Sequence, residues 1–130
     1  MTTMKSHSAD LSRIRKAFGY SLKGLRSAWA SEAAFRQEIY AFLILAPVTA
    51  ALGLPLLHNL LLIFLMVAVL IVELLNSAIE AIVDKTSPEF HPLAGQAKDC
   101  ASAAVLLTVL VLIICWLTLA GPTLWHVFFH

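Results

Sequence analysis

A stripe of polar side chains interrupts one long apolar segment of the chain. It consists of Glu73, Asn76, Ser77, Glu80 and Asp84, which at about 100° per residue share one side of a helix. A carboxylate inside a membrane is costly unless it faces a partner or a water-filled cavity, so we interpret the stripe as functional. Such carboxylates can hold Mg²⁺ on a phosphate, take a proton from a hydroxyl or line a path for cations. The stripe alone permits phosphoryl transfer and ion or proton conduction.

A second group of polar residues flanks the first and last apolar segments. Its members are Glu32, Arg36, Glu38, Lys98, Asp99 and Ser102. Because three carboxylates on one helix face repel each other, we expect cations among them, either Lys98, arginines of the N-terminal segment or a metal ion. The two groups together predict a mixed-charge site at a membrane surface, where a water-soluble and a lipid substrate can meet.

The composition requires a membrane around the helices that carry these residues. Hydrophobic residues make up 60% of the chain and charged residues 13%, compared with roughly a quarter charged in a soluble domain. We predict one all-α membrane domain over residues 1–130. It has an amphipathic interfacial helix at about 10–35 and transmembrane helices at about 39–57, 60–83 and 101–120. A short turn is expected at His58 and Asn59, and a loop in the first half of residues 84–99.

Lysine and arginine residues predict the orientation. Seven of the nine precede the first predicted span, and the other two are Lys85 and Lys98. The positive-inside rule then places the N-terminus and the 84–99 segment in the cytoplasm of a multi-pass inner-membrane protein. The net charge of +1 indicates no nucleic-acid partner. Three spans bury little surface against each other, so we expect a homo-oligomeric bundle in contact with membrane lipids.

Two other patterns exclude familiar alternatives. Cys100 and Cys115 are fifteen positions apart on one predicted helix, about 22 Å, which is too far for a disulfide bond. The motifs of soluble kinases are absent from the sequence. A kinase built on this chain would need a separate architecture.

Four strings of the sequence resemble the bacterial integral-membrane diacylglycerol kinase family. They are GYSLKGLR at 19–26, EAAFRQE at 32–38, ELLNSAIEAIVD at 73–84 and AKD at 97–99, the last followed by SAAV at 102–105. The resemblance covers roughly 13–116 and implies a homotrimer whose active sites are shared between subunits. It also implies Mg²⁺-dependent transfer of phosphate from ATP to diacylglycerol, giving phosphatidic acid.

The resemblance also implies a role for each matching residue. It suggests Glu73 as the catalytic base, Asn76 as a positioning residue, and Glu32 and Glu80 as the metal ligands. The implied ATP contacts are Arg13, Tyr20, Glu32, Glu80, Glu89, His91, Lys98 and Asp99. The implied lipid contacts are Arg13, Arg26, Trp29, Phe35, Arg36, Glu38, Glu73 and Ser102.

Two alternatives to the diacylglycerol kinase hypothesis are an enzyme with a different lipid substrate and a protein without enzymatic activity. A kinase of the same fold could phosphorylate undecaprenol, although the EAAFRQE segment favours diacylglycerol. A non-enzymatic membrane subunit could instead use the acidic stripe to line an ion pathway. Lipid phosphorylation and ion flux would separate the two classes.

Overall fold

The computed structural model describes residues 4–129, with side chains from Asp10 onward, and within that range the chain is all α-helical. The helices are α1 (Met4–Ser31), α2 (Ala33–Ala51), α3 (Leu56–Thr86), α4 (Pro92–Leu119) and α5 (Gly121–Phe129). The all-α prediction is confirmed. The predicted domain of 1–130 includes residues 1–3 and 130, which lie outside the described residues. The chain divides into two compact units, with the boundary after Ala33.

Helix α1 forms nearly all of the first unit. It begins before the predicted residue 10 and ends at Ser31, four residues before the predicted end. Glu32 interrupts the helical assignment, although its N–H still donates to the Ala28 carbonyl oxygen over 2.8 Å. The apolar side chains of Leu11, Ile14 and Phe18 are exposed. The exposed apolar stripe fits the predicted amphipathic helix.

The turn between α2 and α3 lies earlier in the sequence than predicted. Helix α2 ends at Ala51 and α3 begins at Leu56, so the turn is not at His58 and Asn59. Gly53 adopts a φ of +66°, a left-handed conformation that glycine tolerates best and that commonly ends a helix. Pro55 then directly precedes α3, where its missing N–H costs no helical hydrogen bond. The predicted first span, 39–57, therefore runs across a turn.

Two helices among the described residues, α3 and α4, are long and apolar enough to cross a membrane. Helix α2 is not in this set, and its first two turns carry the polar run Arg36, Gln37 and Glu38. A membrane-capable helical pair is thus observed, whereas the third predicted span stays a prediction. Helices α3 and α4 pack on each other along the second unit.

The start of α4 and the end of the chain also differ from expectation. Helix α4 begins at Pro92, before the predicted start near Gln96, because proline suits the first helical position and the His91 side chain caps the helix. Helix α5, beyond the predicted last span, was not expected. Cys100 and Cys115 are free thiols, as predicted.

A small apolar core closes the end of the second unit that carries the α2–α3 turn. Leu54, Leu62 and Ala120 form its buried centre, with Leu52, Cys115, Trp116 and Leu119 packed around it. The α3–α4 connection lies at the other end of these two helices. The polar stripe therefore runs towards the end of the unit that is opposite to this core.

Candidate active site

The packed face of α3 carries apolar residues along its first half and a carboxylate at its middle. Its buried residues are Leu62, Met66, Val69 and Glu73. Their spacing of 4, 3 and 4 positions follows one face of a helix. Glu73 is only 4% exposed, and an acidic side chain is seldom so buried without partners. The predicted functional carboxylate thus lies on the face of α3 that packs against the protein.

The polar stripe continues along α3 from Glu73, and its side chains are connected by hydrogen bonds. Ser77 Oγ donates to the backbone oxygen of Glu73 over 2.9 Å, which commits this hydroxyl to its own helix. Asn76 Nδ2 donates to Glu80 Oε1 over 3.4 Å, a long contact. Asn76 Oδ1 is buried and accepts no hydrogen bond. Asn76 thus orients Glu80 and retains an acceptor for another group.

A second carboxylate, Glu38 of α2, lies close enough to Glu73 for the two charges to interact. Glu38 Oε2 is buried and accepts no hydrogen bond. The family resemblance implied a lipid contact for Glu38. The proximity of Glu38 to Glu73 was not predicted, although the distance of each residue from the α2–α3 turn could have suggested it.

An ion pair joins the last turns of α3 to the first turns of α4. Lys98 Nζ lies 2.9 Å from Asp84 Oδ1, and the two side chains are 37% and 67% exposed. The pair supplies one of the cations that the acidic stripe was expected to need. Since α4 has 28 residues, about 42 Å, and the hydrocarbon core is about 30 Å thick, the first turns of α4 extend beyond that core.

The hydrogen bond that Lys98 donates to Asp84 raises the pKa of the Lys98 ammonium, and the negative charges of Asp84 and Glu80 also raise it, whereas desolvation opposes the shift. A raised lysine pKa means that the folded protein favours the charged form. Any stabilisation from this shift is complete below the ordinary lysine pKa and is lost only in strongly alkaline solution. Lys98 is consequently a fixed positive charge at neutral pH.

Reversing one charge of this pair should lower stability slightly, and reversing both should restore it. We expect Lys98→Asp to reduce the midpoint of thermal unfolding in detergent by a small amount, because exposed ion pairs contribute little. Asp84→Lys combined with Lys98→Asp should recover the midpoint, and high salt should reduce the difference. A double variant that is less stable than either single variant would contradict the pairing.

The α3–α4 connection presents the remaining polar groups of this end. His91 caps α4, with its Nδ1 accepting the Leu93 N–H over 3.3 Å. Glu89, Asp99 and Ser102 are exposed. The structure therefore brings Asn76, Glu80, Asp84 and Lys98 together at one end of the α3–α4 pair, and leaves these flanking residues on its surface.

The remaining predicted residues divide between α1 and the start of α2. In the first unit, Lys23 Nζ lies 5.8 Å from the centre of the Tyr20 ring, and Ser31 Oγ donates to Glu32 Oε1 over 3.1 Å. Arg13, Arg26 and Trp29 also belong to α1. In the second unit, Phe35 is 2% exposed and Arg36 is half-buried. The roles assigned to these residues stay predictions.

Carboxylates of the polar stripe are candidate ligands for a metal ion that is bound together with a phosphate. Within the described residues, no group of three or more His, Cys, Asp or Glu side chains is gathered to hold a metal ion. Mg²⁺ at phosphate sites typically uses only one or two protein carboxylates and takes its other ligands from phosphates and water. Glu80, half-buried and oriented by Asn76, is a suitable ligand of this kind.

Comparison with known proteins agrees with the resemblance found in the sequence. The family model described as "Prokaryotic diacylglycerol kinase" matches residues 19–120. The chain is 49% identical to "Diacylglycerol kinase" of Escherichia coli (strain K12), over 87% of this chain and 93% of that protein. It is 46% identical to "Diacylglycerol kinase" of Pseudomonas aeruginosa, over 84% and 89%. A protein of the same name from Helicobacter pylori is 43% identical over 80% and 81%.

Proposed function

Since the chain belongs to the prokaryotic diacylglycerol kinase family, it is a kinase that phosphorylates diacylglycerol, and we propose that it uses MgATP and the polar stripe of α3 to do so. The observation that carries this mechanism is Glu73, a 4% exposed carboxylate on the packed face of a membrane-capable helix. A buried carboxylate at membrane depth can contact the hydroxyl group of a lipid. ATP can approach the same hydroxyl group from the water. The product is phosphatidic acid.

Glu73 is the proposed general base. The free hydroxyl of diacylglycerol gives its proton to a Glu73 carboxylate oxygen while the hydroxyl oxygen forms a bond to the γ-phosphorus of ATP. The bond from that phosphorus to the β–γ bridging oxygen breaks, and ADP leaves. Phosphoryl transfer depends mainly on positioning and charge neutralisation, so the protein has to align the two substrates.

Glu80 and Glu32 are the proposed ligands of Mg²⁺, which when bound would neutralise charge on the ATP phosphates. Glu80 lies seven residues beyond Glu73 towards the α3–α4 connection, about 10 Å along the helix. That separation supports an arrangement in which the lipid hydroxyl binds deeper in the membrane than the nucleotide. The hydrogen bond from Asn76 would hold the Glu80 carboxylate in one orientation. The Glu32 assignment rests on the resemblance alone.

The nucleotide is proposed to bind at the end of α3 and α4 that carries Lys98. A lysine that stays protonated at neutral pH is suited to phosphate binding, and the resemblance adds Arg13, Tyr20, Glu89, His91 and Asp99 around ATP. The lipid is proposed to contact Glu73 and Ser102, together with Arg13, Arg26, Trp29, Phe35, Arg36 and Glu38.

We also propose that α2 is the third span. Its 19 residues extend about 28 Å, close to the thickness of the hydrocarbon core. The interaction of Glu38 with Glu73 supports an α2 that runs back along α3. Three spans put the Lys and Arg residues on the cytoplasmic side of the inner membrane, with Arg36 at its edge in the first turn of α2, whereas two spans would divide them.

A homotrimer is the proposed assembly, and α1 is proposed to lie in the membrane interface. The resemblance implies three subunits with shared active sites. Many large apolar side chains of α3 and α4 are exposed on the single chain, among them Phe64, Leu75, Leu107 and Ile114. Lipid tails and neighbouring subunits can both cover such surfaces. The basic, amphipathic α1 suits anionic headgroups.

Offering diacylglycerol and undecaprenol in the same assay tests the lipid assignment. Purified protein in mixed micelles should transfer radiolabelled phosphate from ATP to diacylglycerol at least about ten-fold faster, a preference worth about 1.4 kcal/mol at the transition state. Chelation of divalent ions should stop the reaction. Faster labelling of undecaprenol would overturn the lipid assignment.

The same preparation can exclude the ion-pathway alternative. Reconstituted into liposomes, the protein should label lipid and should not dissipate a proton or sodium gradient. A gradient lost without any lipid labelling would support a conducting oligomer lined by the acidic stripe.

A further inference from the structure

Helix α5 is a feature that neither the family match nor the proposed reaction uses. The match ends at residue 120, and α5 runs from Gly121 to Phe129. Pro122 near its start removes a backbone N–H, which weakens the continuation of α4. Ala120 at the junction is completely buried against the core of Leu54 and Leu62. The beginning of α5 is therefore fixed at the end of the second unit that carries the α2–α3 turn.

The side chains of α5 are apolar and exposed over most of its surface. Trp125, Val127, Phe128 and Phe129 are each more than 60% exposed. The rings of Trp125 and Phe129 stack with their centres 4.3 Å apart. Leu124, Phe128, Trp125 and Phe129 cover an arc of about 140°, and Thr123 and His126 lie outside this arc. The apolar arc carries a tryptophan and has two polar side chains outside it, which suits the boundary between headgroups and acyl chains.

The position of α5 along the chain identifies what covers its apolar arc. A span that begins near residue 101 crosses a core of about 30 Å in about 20 residues, so α5 begins where the core ends. No Lys, Arg, Asp or Glu follows Asp99 in the sequence. The side chains of α5 thus carry no fixed charge that would draw them into water or require anionic lipids. Tryptophan in particular is enriched at this depth.

We propose that α5 is an interfacial anchor whose apolar arc inserts between the headgroups and acyl chains of the leaflet opposite to the α3–α4 connection. The anchor holds the C-terminal end of α4 at a fixed depth. It rests on the crossing of the membrane by α4, and it is independent of the residues that would bind ATP or diacylglycerol.

Quenching of tryptophan fluorescence by brominated phosphatidylcholine measures the depth of α5. In a Trp29→Phe, Trp116→Phe variant reconstituted into vesicles, Trp125 is the remaining tryptophan. We expect stronger quenching by lipid brominated near the headgroup end of the acyl chain than by lipid brominated near the chain terminus. Phe128→Lys on the apolar arc should weaken this quenching, whereas Thr123→Lys outside the arc should preserve it.

Each other result would overturn the anchor. Quenching of Trp125 only by a water-soluble quencher means that α5 stands in water, and protection from both quenchers means that protein, such as a second copy of the chain, covers it. Stronger quenching by the deeper bromine means that α5 continues inside the hydrocarbon core. A matched Trp29→Phe, Trp125→Phe variant reports Trp116 of α4. Quenching of Trp116 by lipid would show that α4 crosses the membrane, so that a negative result for Trp125 would then count against the anchor alone.

Discussion

Replacing Glu73 by glutamine should lower kcat for lipid phosphorylation by about 10²–10⁴-fold, the contribution usual for a general base. Glutamine has nearly the same size and shape as glutamate, so the packed face of α3 keeps its contacts. It cannot accept the hydroxyl proton at neutral pH. The measurement is the initial rate of radiolabelled phosphatidic acid formation at saturating MgATP and diacylglycerol, with KM for each substrate determined in parallel.

The control for this variant lies one helical turn away. Ser77→Ala removes a hydroxyl that donates to the backbone oxygen of Glu73, and it should leave kcat nearly unchanged. A Glu73→Gln protein that has lost only affinity, with a higher KM and an unaltered kcat, would show that the carboxylate binds substrate and does not remove a proton. Thermal unfolding of both variants in detergent checks that neither effect arises from loss of fold.

The helices and the polar stripe could be predicted from the sequence because both depend on local periodicity. Glu73, Asn76 and Glu80 recur at helical spacing, and the structure brings Glu73 to the packed face and joins Asn76 to Glu80. Electrostatics predicted cations near the acidic stripe and named Lys98 as one of three possible sources, and the structure pairs Lys98 with Asp84. Periodicity and charge complementarity can both be recognised from the sequence, and both are found again in the folded structure.

The features that the sequence did not predict depend on backbone conformation or on contacts between helices. An uncharged run from 39 to 57 suggests one span, and only the left-handed φ of Gly53 shows that the chain turns there. The electrostatic interaction of Glu38 with Glu73 joins residues of two different helices, and predicting it required the position of the turn between them. Helix α5 is so short that its periodicity is weak, and its aromatic residues resemble the end of a span.

The positions of Glu38 and Glu73 give the site a specific electrostatic requirement. Glu38 lies within electrostatic range of Glu73, and two negative charges in one site repel each other. A lipid hydroxyl that donates a hydrogen bond to Glu73 would partly offset that repulsion. The lysine at position 98 is already paired with Asp84. A diacylglycerol hydroxyl, which is a neutral hydrogen-bond donor, is compatible with this acidic pair.

Glu80→Gln should raise the Mg²⁺ concentration needed for half-maximal activity by about 10–100-fold, the loss seen when even an indirect partner of a metal ligand is removed. The amide is a weaker ligand than the carboxylate because it lacks the negative charge. Activity should recover in part at high Mg²⁺, whereas Glu73→Gln should not recover at any concentration. The measurement is a Mg²⁺ titration of lipid phosphorylation at fixed ATP.

Two further variants decide whether the Glu80 effect arises from ligation or from charge in general. Asp84→Asn removes a carboxylate one turn further along α3 that is paired with Lys98, and its Mg²⁺ titration should move much less. Asn76→Ala removes the hydrogen bond to Glu80 Oε1 and should cause an intermediate shift, because the carboxylate is retained but loses its orientation. Equal shifts of the Mg²⁺ requirement in Glu80→Gln and Asp84→Asn would indicate that the stripe attracts Mg²⁺ only as a diffuse negative surface. An unaltered Mg²⁺ titration in Glu80→Gln would contradict a role of Glu80 as a metal ligand.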